Sequence, residues 1–178
     1  MCGPLRLSLT ADELVDLVDG DDMVVGNATL GECLSKGLLH RAVAVMVVRP
    51  GGALLLQKRS MKDRWQPGRM TLSSTGHVRM GETYEDAARR ELFEELGISA
   101  EVNFLAKMLV PPISEDGLTE KEWVCLFQAE SASPCRIDPV ELDSVAELTL
   151  SEVKGLLGSP TLTADAQILL KEYLRSSA

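Results

Sequence analysis

Gly76–Ile98, GHVRMGETYEDAARRELFEELGI, is the stretch whose reading decides the fold. From Glu82 to Leu96 it has no proline and no glycine, Thr83 is placed to cap a helix, and Asp86 stands three residues on, close to a capping box. Gly97 is a suitable stop. Each helical residue turns by about 100°, so Glu91, Glu94 and Glu95 share one face while Leu92, Phe93 and Leu96 anchor the other. Like charges three and four residues apart are mildly unfavourable on a bare helix. A hard divalent cation reverses that sign, because Mg²⁺ takes carboxylate oxygens together with phosphate and water. An isolated Glu-x-x-Glu-Glu is more often a solvated acidic face, so the surroundings have to decide.

Upstream, Arg41 to Arg49 is a nearly continuous apolar run that ends at Pro50-Gly51-Gly52, and Ala53 to Gln57 follows. Two such runs about a turn read as buried neighbouring strands. Before them, Glu13 to Val18 alternates as a strand, Asp19 to Asp22 is a turn, and Met23-Val24-Val25 returns as a hairpin. A short helix covers Leu30 to Lys36 and stops at Gly37. Ser60 to Arg69 is polar loop. Downstream, strands are expected over Val102–Leu109, Glu122–Gln128 and Ser144–Leu150, with helices over Ser151–Leu157 and Ala164–Leu174. Pro111 to Gly117 reads as a flexible loop bordering the site. The mixture predicts an α/β sandwich around a mixed sheet, with residues 1–11 a loose arm and 12–178 a single domain.

A net charge of −9 excludes the broad basic face that a nucleic acid duplex requires, and a phosphorylated substrate needs a metal ion to offset the repulsion. No apolar run is long enough to cross a bilayer, and residues 1–6 lack the pattern of a secretory signal, so no membrane partner and a cytoplasmic location are expected. The cysteines, Cys2, Cys33, Cys125 and Cys135, form no Cys-x-x-Cys pair and read as reduced and structural. By base rate the oligomer expected is a homodimer.

The spacing after Gly76 is five residues to Glu82, then seven to Arg90-Glu91-Leu92, then Phe93, Glu94-Glu95, Leu96, Gly97 and Ile98. This resembles the signature of the Nudix hydrolases at every defined position. The resemblance implies a Nudix-type α/β/α sandwich and hydrolysis of a nucleoside diphosphate linked to another group, with Mg²⁺ or Mn²⁺ as cofactor. It also implies Glu91, Glu94 and Glu95 as metal ligands, with the backbone at Gly76 contributing. Arg90 would orient these carboxylates and Glu82 would support the site electrostatically. Metal-activated water would attack phosphorus, and a glutamate would take its proton. Glu91 is nominated as that base, with Glu120 and Glu122 as rivals.

Outside the signature, His40-Arg41-Ala42, Trp65-Gln66-Pro67-Gly68, Gly76-His77 and Glu120-Lys121-Glu122 resemble the isopentenyl diphosphate isomerases, one branch of the superfamily. That likeness implies a second metal site of His40, His77, Glu120 and Glu122, with Cys33 a soft ligand where the isomerases have another histidine. The alternative is that His77 hydrogen-bonds near the phosphates and His40 caps a strand. Against isomerase chemistry, Thr75 stands where those enzymes place a catalytic cysteine, and the glutamate helix is complete. For the substrate itself, Trp65 is a candidate base-stacking residue and Trp123 a lesser one. Arg59 and Arg79, with Lys58 and Arg69 near them, are candidate phosphate contacts beside His77. The expectation is a small-molecule, diphosphate-cleaving hydrolase; the alternatives are the isomerase and a non-catalytic nucleotide sensor.

Overall fold

Leu14–Val18 (β1) and Val24–Thr29 (β2) pair as the expected hairpin, with Asp22 at the turn in the left-handed region (φ 60°). The computed structural model describes residues 11–63, 65–137 and 139–176; the arm expected over residues 1–11 lies, except for Ala11, outside them. Leu30–Lys36 (α1) begins in a full capping box between Thr29 and Glu32 and ends at Gly37 in the left-handed region (φ 61°).

His40–Val48 (β3) is the centre of the sheet, and Leu54–Arg59 (β4) follows it through the Pro-Gly-Gly turn. The two pair only at Val47↔Leu55 and Val48↔Leu54. Two short strands that hydrophobic patterning does not reveal, Met70–Thr71 (β5) and Ser74–His77 (β6), explain why: β6 takes the same edge of β3 from Ala42 to Val45. The signature helix is Tyr84–Leu96 (α2), capped by the Thr83 side chain and stopped by Gly97 (φ 66°).

Val102–Glu115 (β7) and Leu118–Glu130 (β8) form a long hairpin, and β8 runs parallel to β3 along the whole of its other edge. Here the sequence-based expectation needs correction. Pro111 to Glu115 is strand, not loop, and only Asp116 (φ 51°) and Gly117 (φ 79°) turn, as a two-residue hairpin requires. Pro111 and Pro112 fit because β7 is an edge strand with β8 as its partner, and its register shifts between Val110 and Ile113. Leu142–Leu148 (β9) pairs with β4, and Leu150–Leu156 (α3) and Ala164–Ser176 (α4) complete the described chain.

Strand alternation sends the side chains of β3 to two cores. Val43, Val45 and Val47 meet Ala87, Ala88, Leu92 and Leu96 of α2. Ala42, Ala44 and Met46 meet Val153 of α3 and Ala166, Leu169, Leu170 and Tyr173 of α4. Each fully buried aliphatic side chain contributes roughly 1.5–3 kcal/mol. Helices therefore cover both faces of a mixed sheet, as the sequence predicted. No helix among the described residues is long and apolar enough to cross a membrane.

Candidate active site

β6 is the wall between two clusters of ligand-type side chains. Its Gly76 pairs with Val43 and its Ser74 with Val45, on the α2 face; His77 pairs with Ala42 and Thr75 with Ala44, on the opposite face.

On the α2 face, Glu91 lies directly over Gly76, where a Cβ would come within 2.6 Å of all three of its carboxyl atoms. Arg90 organises the acids. Its Nε and Nη2 donate to the two oxygens of Glu82 at 2.9 and 2.8 Å, and its Nη1 donates to Glu91 at 2.6 Å and to Glu94 at 3.2 Å. Nη2 also reaches the His77 carbonyl at 2.9 Å, which ties β6 to the helix. Glu94 is half-exposed, with Arg79 3.6 Å away on its outer side. Glu95 is buried, and its Oε2 accepts from the Thr75 N–H at 3.1 Å and from Gln57 Nε2 at 3.4 Å.

Burial pushes Glu91 up to about 7, with Arg90 pulling the other way. Burial and the neighbouring Glu91 charge push Glu95 up to about 8. Glu141, on the connection before β9, adds its charge against both. Two buried acids that resist ionisation beside a third, half-exposed one suit a hard divalent cation, whose charge would offset what burial costs.

On the opposite face, Glu122 pairs with His40 across the parallel ladder. Its Oε1 lies 3.3 Å from His40 Nε2 and 3.1 Å from His77 Nε2. Among the described residues, these three form the one set whose candidate ligand atoms lie within 4.8 Å of one another; the helix glutamates do not close to that distance. Burial opposes ionisation of Glu122, but the His40 and His77 imidazoles beside it outweigh burial and hold its carboxyl below the ordinary carboxylate range. Glu120 goes the other way, raised by burial and by the charges of Glu122 and Asp165. Cys33 does not join this set: it is buried beside Val15 and Ala28, and burial pushes its thiol up to about 11.

The proposed substrate contacts are mostly engaged with the protein. Arg59 donates to the Trp65 carbonyl at 2.9 Å and to Asp63 at 2.7 Å, and Arg79 to Glu13 at 2.7 Å. Arg69 donates to Gln66 at 3.3 Å. Trp65 is only 8% exposed, so little of its ring is open to a base. Trp123 donates to the Asp19 carbonyl and packs under Lys107.

Residues 38–169 match the NUDIX domain family, and the chain belongs to that family. It is 33% identical over 174 residues to an uncharacterised Nudix hydrolase of Streptomyces coelicolor, covering 97% of this chain and 92% of the relative. It is 37% identical over 148 residues to isopentenyl-diphosphate Delta-isomerase 2 of Photorhabdus laumondii, covering 83% and 84%. A Deinococcus radiodurans crystal structure superposes with a TM-score of 0.74 at 22% identity, over 93% of this chain and 100% of that one, which shows the same fold.

The titration of the site has a consequence for stability. Glu91 and Glu95 have ordinary values of 4.5, so between about pH 4.5 and 8 the folded chain holds protons that the unfolded chain has shed. Stability then falls as pH rises through that window. His40, whose proton is retained by Glu122 against the effect of burial, pushes in the same direction above pH 6.5. In EDTA, Tm is expected to drop by about 10 °C from pH 5 to pH 8.5, and millimolar Mg²⁺ to recover more of it at pH 8.5 than at pH 5. A Tm that is flat or rises across this range in differential scanning calorimetry would contradict the assigned burial.

Proposed function

We propose that this protein is a Mg²⁺- or Mn²⁺-dependent hydrolase, acting in the cytoplasm, that cleaves the diphosphate bond of a small nucleoside diphosphate or a derivative of one. The observation that carries this reading is the complete acidic helix face: Glu91 seated over Gly76, Glu94 at the opening, Glu95 behind, and Arg90 spanning Glu82, Glu91 and Glu94. Glu91, Glu94 and Glu95 would hold the cation, with the backbone at Gly76 beside them. A divalent cation supplies Lewis-acid polarisation of a phosphoryl oxygen and eases ionisation of water. Arg90 fixes Glu91 and Glu94 in place. Glu91, seated over Gly76 and held by Arg90 Nη1, is the nominated proton acceptor.

A second reading rests on one observation, the His40–His77–Glu122 cluster. Those ligands suit a cation such as Zn²⁺ or Mn²⁺, and they favour chemistry of the isomerase type on a prenyl diphosphate. Thr75 stands against it, because a hydroxyl holds its proton far more tightly than a thiol with its ordinary value near 8.5.

The test is a screen with Mg²⁺ of nucleoside di- and triphosphates, ADP-ribose, dinucleotides, nucleotide sugars and isopentenyl diphosphate, alongside Glu94→Gln. Metal-dependent hydrolysis of one nucleotide class, lost by about a thousandfold in Glu94→Gln, is the expected result. Rearranged isopentenyl diphosphate with every nucleotide intact would favour the second reading instead.

A further inference from the structure

Behind Glu95 lies a group of neutral polar side chains where the core would otherwise be apolar. Gln57 is the residue on β4 two positions after Leu55, on the same face, and is 1% exposed. Its cross-strand partner on β5 is Thr71, fully buried, so the two side chains lie side by side. Ser74 on β6 faces the same space from the Val45 register. Their immediate neighbours, Leu55, Leu92 and Leu96, are apolar and buried.

Gln57 Nε2 donates to Glu95, but Gln57 Oε1, Thr71 Oγ1 and Ser74 Oγ have no formed hydrogen bond, although the Ser74 hydroxyl lies against the Glu95 carboxylate. An unsatisfied buried polar atom is destabilising, so Gln57 Oε1 and Thr71 Oγ1 are a standing cost that Leu or Val would remove. Local rules broken in this way mark functional sites. Gln57 and Ser74 adjoin Glu95, which the proposed function makes a metal ligand.

We infer that Gln57, with Thr71 and Ser74, is the shell that positions Glu95 for the cation, and that Gln57 is a positioning residue setting metal affinity. The inference rests on the glutamate reading above. Partners of this kind orient the ligand they bond, and losing one typically weakens metal binding by about 10- to 100-fold.

The test is Mg²⁺ calorimetry at pH 8.5 on the full chain, with Tm measured on the same samples. Mg²⁺ is the probe because, as a hard ion, it selects the carboxylates over the histidine cluster. Gln57→Leu is expected to bind Mg²⁺ at least tenfold more weakly while melting at or above the wild-type temperature. Thr71→Val, which keeps the shape, is expected to lose several-fold in affinity. Leu55→Val, a packing change on the same face, should lower Tm and leave affinity unchanged. Wild-type affinity in folded Gln57→Leu, or in Thr71→Val if the first variant does not fold, overturns the inference while the glutamate reading stands. A wild type that binds Mg²⁺ no better than Glu95→Gln overturns both.

Discussion

Gly76→Ala is expected to lower kcat by about a hundredfold or more while shifting Tm by no more than about 2 °C. The methyl group would lie within 2.6 Å of the three carboxyl atoms of Glu91, so one of the two has to move. Gly76 is not among the glycines held in the left-handed region, and it sits in an ordinary antiparallel pairing with Val43. Alanine is therefore comfortable in the strand, and the free end of the Glu91 side chain is the softer element. Swinging it away gives up one of the five Arg90 bonds, the 2.6 Å contact from Nη1, and takes a proposed metal ligand and proton acceptor off its mark. A displacement of about 1 Å can cost about a hundredfold in rate. The double variant Gly76→Ala/Glu91→Gln should fall only slightly further than Gly76→Ala, because both changes remove the same group. Steady-state kinetics with a thermal melt on each variant decide it. Undiminished activity in Gly76→Ala would mean that Glu91 does not act from this position.

The same glycine shows what the sequence could disclose. Its spacing to Glu82 and to Arg90-Glu91 carries the family and the fold, because Arg90 and Glu91 lie on one regular helix and Glu82 just before its cap. The central run from Arg41 to Arg49 was likewise legible, since burial on both faces leaves an unbroken apolar pattern. Long-range pairings have no such local record. Gln57 reads as the polar end of an apolar strand, and nothing nearby in sequence says that Glu95 will pack against it. β5 and β6 span two and four residues, too few to display a period. Pro111-Pro112 looked like loop because the proline signal is local, whereas the edge position and register shift that accommodate it are set by β8. The histidine cluster lies between: family resemblance grouped His40, His77, Glu120 and Glu122, and the sheet register brings three of them together without Glu120, while the same resemblance also nominated Cys33, which packs elsewhere.

Arg90→Leu is expected to remove about 3 kcal/mol of stability at pH 7, lowering Tm by about 10 °C, and to abolish most activity. Arg90, Glu82 and Glu91 are all largely buried, and five bonds leave this one guanidinium, to Glu82 twice, Glu91, Glu94 and the His77 carbonyl. Truncation strands the buried Glu82 carboxylate without its cation and keeps Glu91 from ionising, which costs far more than an exposed ion pair is worth. The pH dependence separates this from simple loss of packing. Burial acts to raise Glu82, but the Arg90 fork and the Arg79 N–H outweigh it and hold the carboxyl below its ordinary 4.5. The unfolded chain therefore takes up that proton first as pH falls, so the stability supplied by the pair is present above about pH 4.5 and lost below it. The Tm gap between wild type and Arg90→Leu should close as pH drops toward 3, where Glu82 takes up its proton, and widen above pH 7, where Glu91 ionises. A purely steric defect would leave the gap constant. Arg90→Lys, which keeps the charge but cannot span both oxygens of Glu82 and still reach Glu91, should fall between the two. Mg²⁺ should raise the Tm of Arg90→Leu more than that of wild type, because a cation on Glu91 would take over part of the charge that Arg90 supplied.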